Sequence, residues 1–230
     1  MTHTSINANA ISFVTDTKWC SALSKGQQLR VYADVKERVV PRGGFVYKHG
    51  SRVDYWSGIL DGLVKLSVVS PSGRTSTFTG LAPGAWFGED QVLRSRQWSF
   101  DATAMSETRL VLIPRSTFEW LLNVSPVFNR FIIGQLSERL AQSMSIVEAQ
   151  RLESADACVA HCLAWLFNPV LYPGVRLRLP LTQEEIGYLS GVSRQRVNEA
   201  LQTLQAARLL NVEYGGIEVI DLMGLQNFHG

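Results

Sequence analysis

The stretch LTQEEIGYLSGVSRQRVNEALQTL, residues 181 to 204, leaves few folds open to this chain. Thr182 followed by Glu185 forms a capping box, so a helix is predicted to open there, with Ile186 and Leu189 as its apolar side. Gly191 accepts the left-handed backbone that stops a helix, and Val192 can tuck beneath the turn. Ser193 then caps a second helix, in which Val197, Leu201 and Leu204 recur at the i, i+4, i+7 spacing of one buried face. The opposite face carries Arg194, Gln195, Arg196, Asn198, Glu199, Gln202 and Thr203, nearly all able to hydrogen-bond a base edge or a phosphate.

Two short helices, a Gly-containing turn and a polar N-terminal end on the second helix are what a helix-turn-helix requires. An ordinary helical hairpin with one solvated face gives the same local pattern, so the flanking sequence decides. After the second helix, LLNVEYGGIEVIDL reads as two alternating strands around a two-residue turn at Gly215-Gly216, both able to take positive φ. Helix-turn-helix plus tight hairpin is a winged helix, and VRLRLP, residues 175 to 180, is the candidate third strand. At the start of the second helix, arginine suits guanine and Gln or Asn suits adenine, so Ser193, Arg194, Gln195, Arg196, Asn198 and Glu199 are the candidate DNA-binding set. Arg194 is the expected base contact and Arg196 the expected phosphate contact.

The remainder is long enough for a second domain with its own core, since the chain has 230 residues. Residues 1 to about 28 read as poorly ordered or weakly helical. From Leu29 to Ile113 the sequence alternates in short runs broken by glycine, the signature of a barrel or jelly roll. From Ser116 the period becomes helical. In VFNRFIIGQLSERLAQSMSIVEAQ, Ile133, Leu136, Leu140, Ser143 and Val147 step by three and four, a seam for a second copy of the helix. The expected division is a barrel sensor domain at 1–125, a dimerisation helix and hinge at 126–154, and a winged helix-turn-helix at 155–230.

Charge complicates a DNA reading. Net charge over the whole chain is +2. From Gln150 to Gly230, six Arg and no Lys stand against eight Asp plus Glu, a balance of −2. The broad basic footprint usual in a DNA binder is therefore missing, and binding would rest on placed arginines, helix N-termini and doubled contacts in a dimer. The rival reading is a ligand-binding regulatory module acting through a protein partner. No apolar run approaches the roughly 18–20 residues of a membrane span, MTHTSINANA lacks the plan of a signal peptide, and three cysteines make no disulfide framework. A cytoplasmic location is expected.

The order of barrel, long helix and winged helix-turn-helix resembles the Crp/Fnr family of bacterial transcription regulators, which contains the cyclic-AMP receptor protein and the fumarate–nitrate regulator. The resemblance is carried by GAWFGED at 84–90, ATAMSETRLVLIPRSTFEWLL at 102–122 and LTQEEIGYLSGVSRQRVNEAL at 181–201. It implies an α+β chain: a jelly-roll domain like those that bind cyclic nucleotides, a long dimerisation helix and a C-terminal winged helix. It also implies a homodimer on palindromic duplex DNA, with RNA polymerase as a further partner and a small-molecule effector. The family commonly has glutamate where Gln195 stands and arginine where Glu199 stands, so a different half-site is expected. Gly88-Glu89 matches the start of the phosphate-binding cassette, in which the glutamate holds a ribose hydroxyl. Where the cassette's arginine should fall stand Trp98 and Ser99, and Ser143 and Met144 fall near the positions that touch the adenine. The frame of a nucleotide pocket is present without its charge clamp, unless Arg94 or Arg96 replaces it. Cyclic AMP used in the family's usual way is therefore not expected.

Other constellations carry less. Cys158, His161 and Cys162, at i, i+3 and i+4, lack the fourth ligand of a tetrahedral zinc site. Only Cys20 lies where the family's iron–sulfur sensors carry a cysteine cluster, and His49 beside Gly50 reads as a surface residue rather than a haem ligand. Glu89 and Asp90, taken as neighbours on an extended segment, should face opposite ways. No catalytic triad, phosphate loop or dinucleotide fingerprint appears, so an enzyme is not expected.

Overall fold

The computed structural model describes residues 3–70, 75–94, 97–152, 154–174, 177–179 and 181–229. Three helices come first: α1 (His3–Thr15), α2 (Lys18–Ser21) and α3 (Lys25–Asp34). Eight strands follow: β1 (Lys36–Val40), β2 (Phe45–Tyr47), β3 (Tyr55–Asp61), β4 (Val64–Val69), β5 (Thr75–Leu81), β6 (Trp86–Phe87), β7 (Asp101–Ala104) and β8 (Thr108–Pro114), with α4 (Glu89–Leu93) between β6 and β7. They form two four-stranded antiparallel sheets, in the orders β1-β8-β3-β6 and β2-β7-β4-β5.

The N-terminus departs from expectation. Of the two expectations the helical one holds, and the departure is that these helices are firmly packed, with Ala10, Val14, Trp19 and Cys20 fully buried. The Trp19 ring lies 5.2 Å from that of Phe128, 5.8 Å from Trp56 and 5.9 Å from Trp86, inside an aromatic cluster joining the first helices to the barrel. The run from Leu29 reads as strand because of its valines, yet α3 holds it. Ser24 accepts from the Gln27 amide while the Gln27 side chain accepts from the Ser24 amide, a capping box that fixes the helix start upstream. The first strand therefore begins only at Lys36.

The helical region comprises α5 (Arg115–Val124) and α6 (Pro126–Leu152). At about 1.5 Å per residue, α6 is roughly 40 Å long. Along it Phe128, Ile132, Gln135 and Gln142 are buried against the rest of the chain, whereas Ile133, Leu140, Met144 and Val147 are exposed. Beyond α6 lie α7 (Ala155–Trp165), β9 (Arg178–Leu179), α8 (Gln183–Ser190), α9 (Arg194–Ala206), β10 (Leu210–Glu213), β11 (Gly216–Val219) and α10 (Leu222–Gln226). The three strands pair antiparallel in the order β10-β11-β9, with Leu179 opposite Ile217 and Arg178 opposite Glu218. Of the candidate third strand, Val175, Arg176 and Pro180 lie outside the described residues.

The hairpin turn is displaced by one residue from expectation. Glu213 pairs with Gly216, so the two turn residues are Tyr214 and Gly215, and only Gly215 takes positive φ, at 78°. Gly216 is consumed as the first residue of β11, where pairing demands extended backbone. Tyr214 is left fully exposed at the hairpin tip.

The C-terminal helices pack against the barrel. Tyr172 Oη donates to the Gly80 carbonyl on β5 at 3.1 Å and shares a 3.3 Å contact with Gln142 of α6. Leu189 of α8 lies over Gly80 so closely that a Cβ there would stand 2.9 Å from a leucine methyl. Glu185 of α8 approaches Arg42 of the β1–β2 turn at 3.6 Å, and the Lys65 ammonium sits 4.2 Å from the Tyr188 ring centre. The helix-turn-helix is thus seated on the β4–β5 hairpin.

Candidate nucleic-acid interface and effector cleft

Local chemistry builds the helix-turn-helix as its sequence demands. The Thr182 hydroxyl accepts from the Glu185 amide at 3.2 Å, and Glu185 accepts from the Thr182 amide at 2.7 Å. Gly191 stops α8 with φ 72°, and Ser193 caps α9 by accepting from the Arg196 amide. Ile186, Leu189, Val197, Leu201 and Leu204 are buried. The Thr182→Ala variant removes one side of the reciprocal cap. It is expected to cost about 1 kcal/mol of stability, read as a lower midpoint in a urea melt at unchanged slope.

The exposed face of α9 is more internally tied than its sequence suggests. The Arg196 guanidinium donates to Glu199 Oε2 at 2.5 Å, and Gln195 donates to Glu199 Oε1 at 3.4 Å. Asn198 accepts from Gln183 of α8 at 3.0 Å, which ties the two helices together. Glu199, a candidate acceptor for cytosine, already serves two neighbours. Ser193 acts as the cap. Arg194 is exposed at the first position of α9 with no side-chain partner among the described residues. An unengaged guanidinium at the N-terminal end of an exposed helix is the geometry a base contact requires.

The second site is a cleft of about 320 Å³ between the barrel and α6. Its apolar wall includes Phe78, Phe87, Phe100, Leu136 and Ile146. Gly88, Glu89 and Ser143 come together on it as the sequence implies, and Asp90 joins them. The Glu89–Asp90 segment is the first turn of α4 rather than extended backbone, so both carboxylates border the same space. Burial pushes the Asp90 carboxyl above its usual range, and the Glu89 charge adds to the effect.

Sequence reasoning missed Arg139. From α6 it donates through Nε to Glu89 Oε1 at 2.7 Å, and its terminal nitrogen donates to the Trp86 carbonyl. The Glu89 side chain is only 2% exposed. The available signal was helical spacing, since Arg139 lies one turn before Ser143 on the same side of α6.

The other candidate pocket residues lie elsewhere. Trp98 is buried in the barrel interior, stacked on Tyr47 at 4.1 Å, and it packs so tightly on Gly88 that a Cβ there would lie 2.8 Å from the indole. Ser99 is exposed, accepts from Gln91 at 3.1 Å, and lines a separate open groove with His49, Arg52 and Arg115. Met144 is exposed and outside the cleft lining. Arg94 caps the C-terminal end of α4 on the surface, and Arg96 lies outside the described residues. Along the seam, Ile133, Leu140, Ser143 and Val147 are exposed, but Leu136 is half-buried against the core and the cleft. Among the described residues, no group of three His, Cys, Asp or Glu side chains is placed to hold a metal ion. Burial, reinforced by Cys158, pushes the Cys162 thiol up to about 12.

The comparisons with known proteins bear on both halves. The cyclic nucleotide-binding domain family matches residues 37–125, and the Crp-like helix-turn-helix domain family matches residues 159–228. The chain belongs to the Crp/Fnr family. This Crp/Fnr member is a DNA-binding transcription regulator, and the family is one of transcription regulators. It is similar to the CRP-like cAMP-activated global transcriptional regulator of Mycobacterium tuberculosis, 29% identical over 164 residues covering 70% of this chain and 73% of that one. It is also similar to the cyclic AMP receptor protein of Thermus thermophilus, 26% identical over 184 residues covering 80% and 83%. The structure of FixK2 from Bradyrhizobium japonicum superimposes with a TM-score of 0.72 at 19% identity, covering 85% of this chain and 98% of that one, a likeness of fold. Among the described residues, no helix of this Crp/Fnr chain is long and apolar enough to cross a membrane.

Proposed function

We propose that this chain acts as a cytoplasmic homodimer that pairs along α6 and reads a palindromic duplex site with the N-terminal end of α9, in concert with RNA polymerase. The division proposed is a sensor domain at 1–125, a dimerisation helix and hinge at 126–154, and a winged helix at 155–230. The observation that carries the reading is Arg194, exposed and unengaged at the start of α9 while its neighbours brace one another. The exposed apolar stripe of Ile133, Leu140 and Val147 supports pairing through α6. Ser193, Arg194, Gln195, Arg196, Asn198 and Glu199 form the proposed DNA-facing set, with Gln195, Asn198 and Glu199 acting partly by holding the others.

The effector is not cyclic AMP bound in the usual way. A buried cyclic phosphate needs a paired cation. Among the described residues no cation is free to supply it: Trp98 occupies the barrel side of Gly88 where a clamp would be needed, Arg139 is already committed to Glu89, and Arg94 is exposed at the end of α4. The relatives named for cyclic AMP therefore do not transfer their ligand to this cleft.

The balance of −2 beyond Gln150 favours a second reading, action on a protein partner without DNA. A salt titration separates the two. A DNA reader's affinity should fall linearly on a log–log plot against salt, with slope near −0.9 per phosphate contacted. Fluorescence anisotropy with a labelled duplex reads this directly, and an affinity indifferent to salt, or no affinity, supports the partner-binding alternative.

A further inference from the structure

Among the described residues, the cleft between the barrel and α6 is lined by three charged side chains, Glu89, Asp90 and Arg139. Arg139 is spent internally, on Glu89 Oε1 and on the Trp86 carbonyl. Two carboxylates against one cation leave the lining with an excess negative charge. Glu89 Oε2 is buried and accepts no hydrogen bond from any described residue. A buried carboxylate oxygen without a donor is costly, and a ligand that supplies the donor recovers that cost. The uncharged wall is mainly apolar and partly aromatic, with Thr79, Gln142 and Ser143 as its polar members. Phe78, which is 45% exposed, meets Phe100 edge-to-face with ring centres 6.3 Å apart.

We infer that the cleft takes a small organic cation, an ammonium borne on an aromatic or branched apolar body, with the ammonium donating to Glu89 Oε2. The inference rests on the proposed reading of this cleft as an effector site not built for a cyclic phosphate. An ammonium satisfies the orphan oxygen and offsets the excess charge beside Asp90, while its body covers Phe78, Phe100 and Ile146. A neutral alcohol satisfies the oxygen without offsetting the charge. An anion meets Glu89 and Asp90 and must first pull Arg139 from its partner.

Three matched probes test this on the full chain by protein-observed NMR titration: 2-phenylethylamine, 2-phenylethanol and phenylacetate. The amine is expected to bind about tenfold tighter than the alcohol, because both can donate to the carboxylate but only the ammonium adds a charge–charge attraction, and phenylacetate not to bind measurably. Glu89→Gln should erase the preference of amine over alcohol. Because that variant deprives Arg139 of its partner and can perturb folding, Phe78→Ala on the exposed wall provides a second check, weakening amine and alcohol alike while keeping their order. Equal binding of the three probes, a preference for phenylacetate, binding by none, or an order unchanged in Glu89→Gln would overturn the inference alone. Cyclic AMP binding tighter than about 10 μM (near −7 kcal/mol) and lost in Arg139→Gln would instead overturn the reading of the cleft beneath it.

Discussion

Replacing Ile133 and Leu140 together by glutamate is expected to leave a folded monomer with no measurable sequence-specific DNA binding. Both side chains are more than 60% exposed in the single chain, at 62% and 63%, so their loss removes little from the protomer's own core. They lie seven residues apart on one stripe of α6, and a two-fold pairing of that stripe would set each glutamate near its own copy. Burying a carboxylate without a partner costs several kcal/mol per ion, and four such charges exceed what a seam of about 21 Å can offset. Loss of the dimer removes one half of every DNA contact. Sedimentation velocity checks the first step and anisotropy on the cognate duplex the second. A variant that stays dimeric would place the interface elsewhere on the molecule.

The second large effect is expected from Arg194→Ala, at about 1–3 kcal/mol per half-site if the guanidinium makes a bidentate base contact. Its loss should relax specificity at one base pair in each half-site, because no other described side chain at the start of α9 offers a free guanidinium. Arg196→Ala should behave differently. That guanidinium is held by Glu199 at 2.5 Å and turned away from the helix start, so its loss should weaken all sequences about equally and flatten the salt dependence. Competition assays across a panel of single-base variants measure both. If Arg196 governs one base and Arg194 governs salt, the helix enters the groove in another rotation.

The legible parts of this chain are those set by neighbours in sequence. The capping box at Thr182 and Glu185, the stop at Gly191 and the cap at Ser193 involve residues at most three apart, and each appears where the sequence places it. The alternating glycine-punctuated runs likewise form the two sheets. The packing of the N-terminal helices was hidden because it depends on Trp19 reaching Trp56, Trp86 and Phe128, partners up to 109 positions away. The hairpin turn slipped by one residue because two adjacent glycines read identically until pairing of Glu213 with Gly216 selects between them. In the cleft, the absence of an arginine at 98 and 99 was visible, but the pairing of Glu89 with Arg139 joins residues 50 apart on different elements. Periodicity says nothing of such pairs. The coupling of Gly80 to Leu189 and Tyr172 is equally non-local, and it seats the helix-turn-helix on the strand that also lines the cleft.

Selection from random duplex DNA with the purified protein, followed by footprinting of the winning sequence, tests the central claim most directly. The account predicts a two-fold symmetric site with half-site centres about one helical turn, roughly 34–36 Å, apart, relaxed at one base pair per half-site by Arg194→Ala and lost on the paired glutamate substitutions in α6. Recovery of no enriched sequence, or of an asymmetric site bound by one copy of the chain, would contradict it.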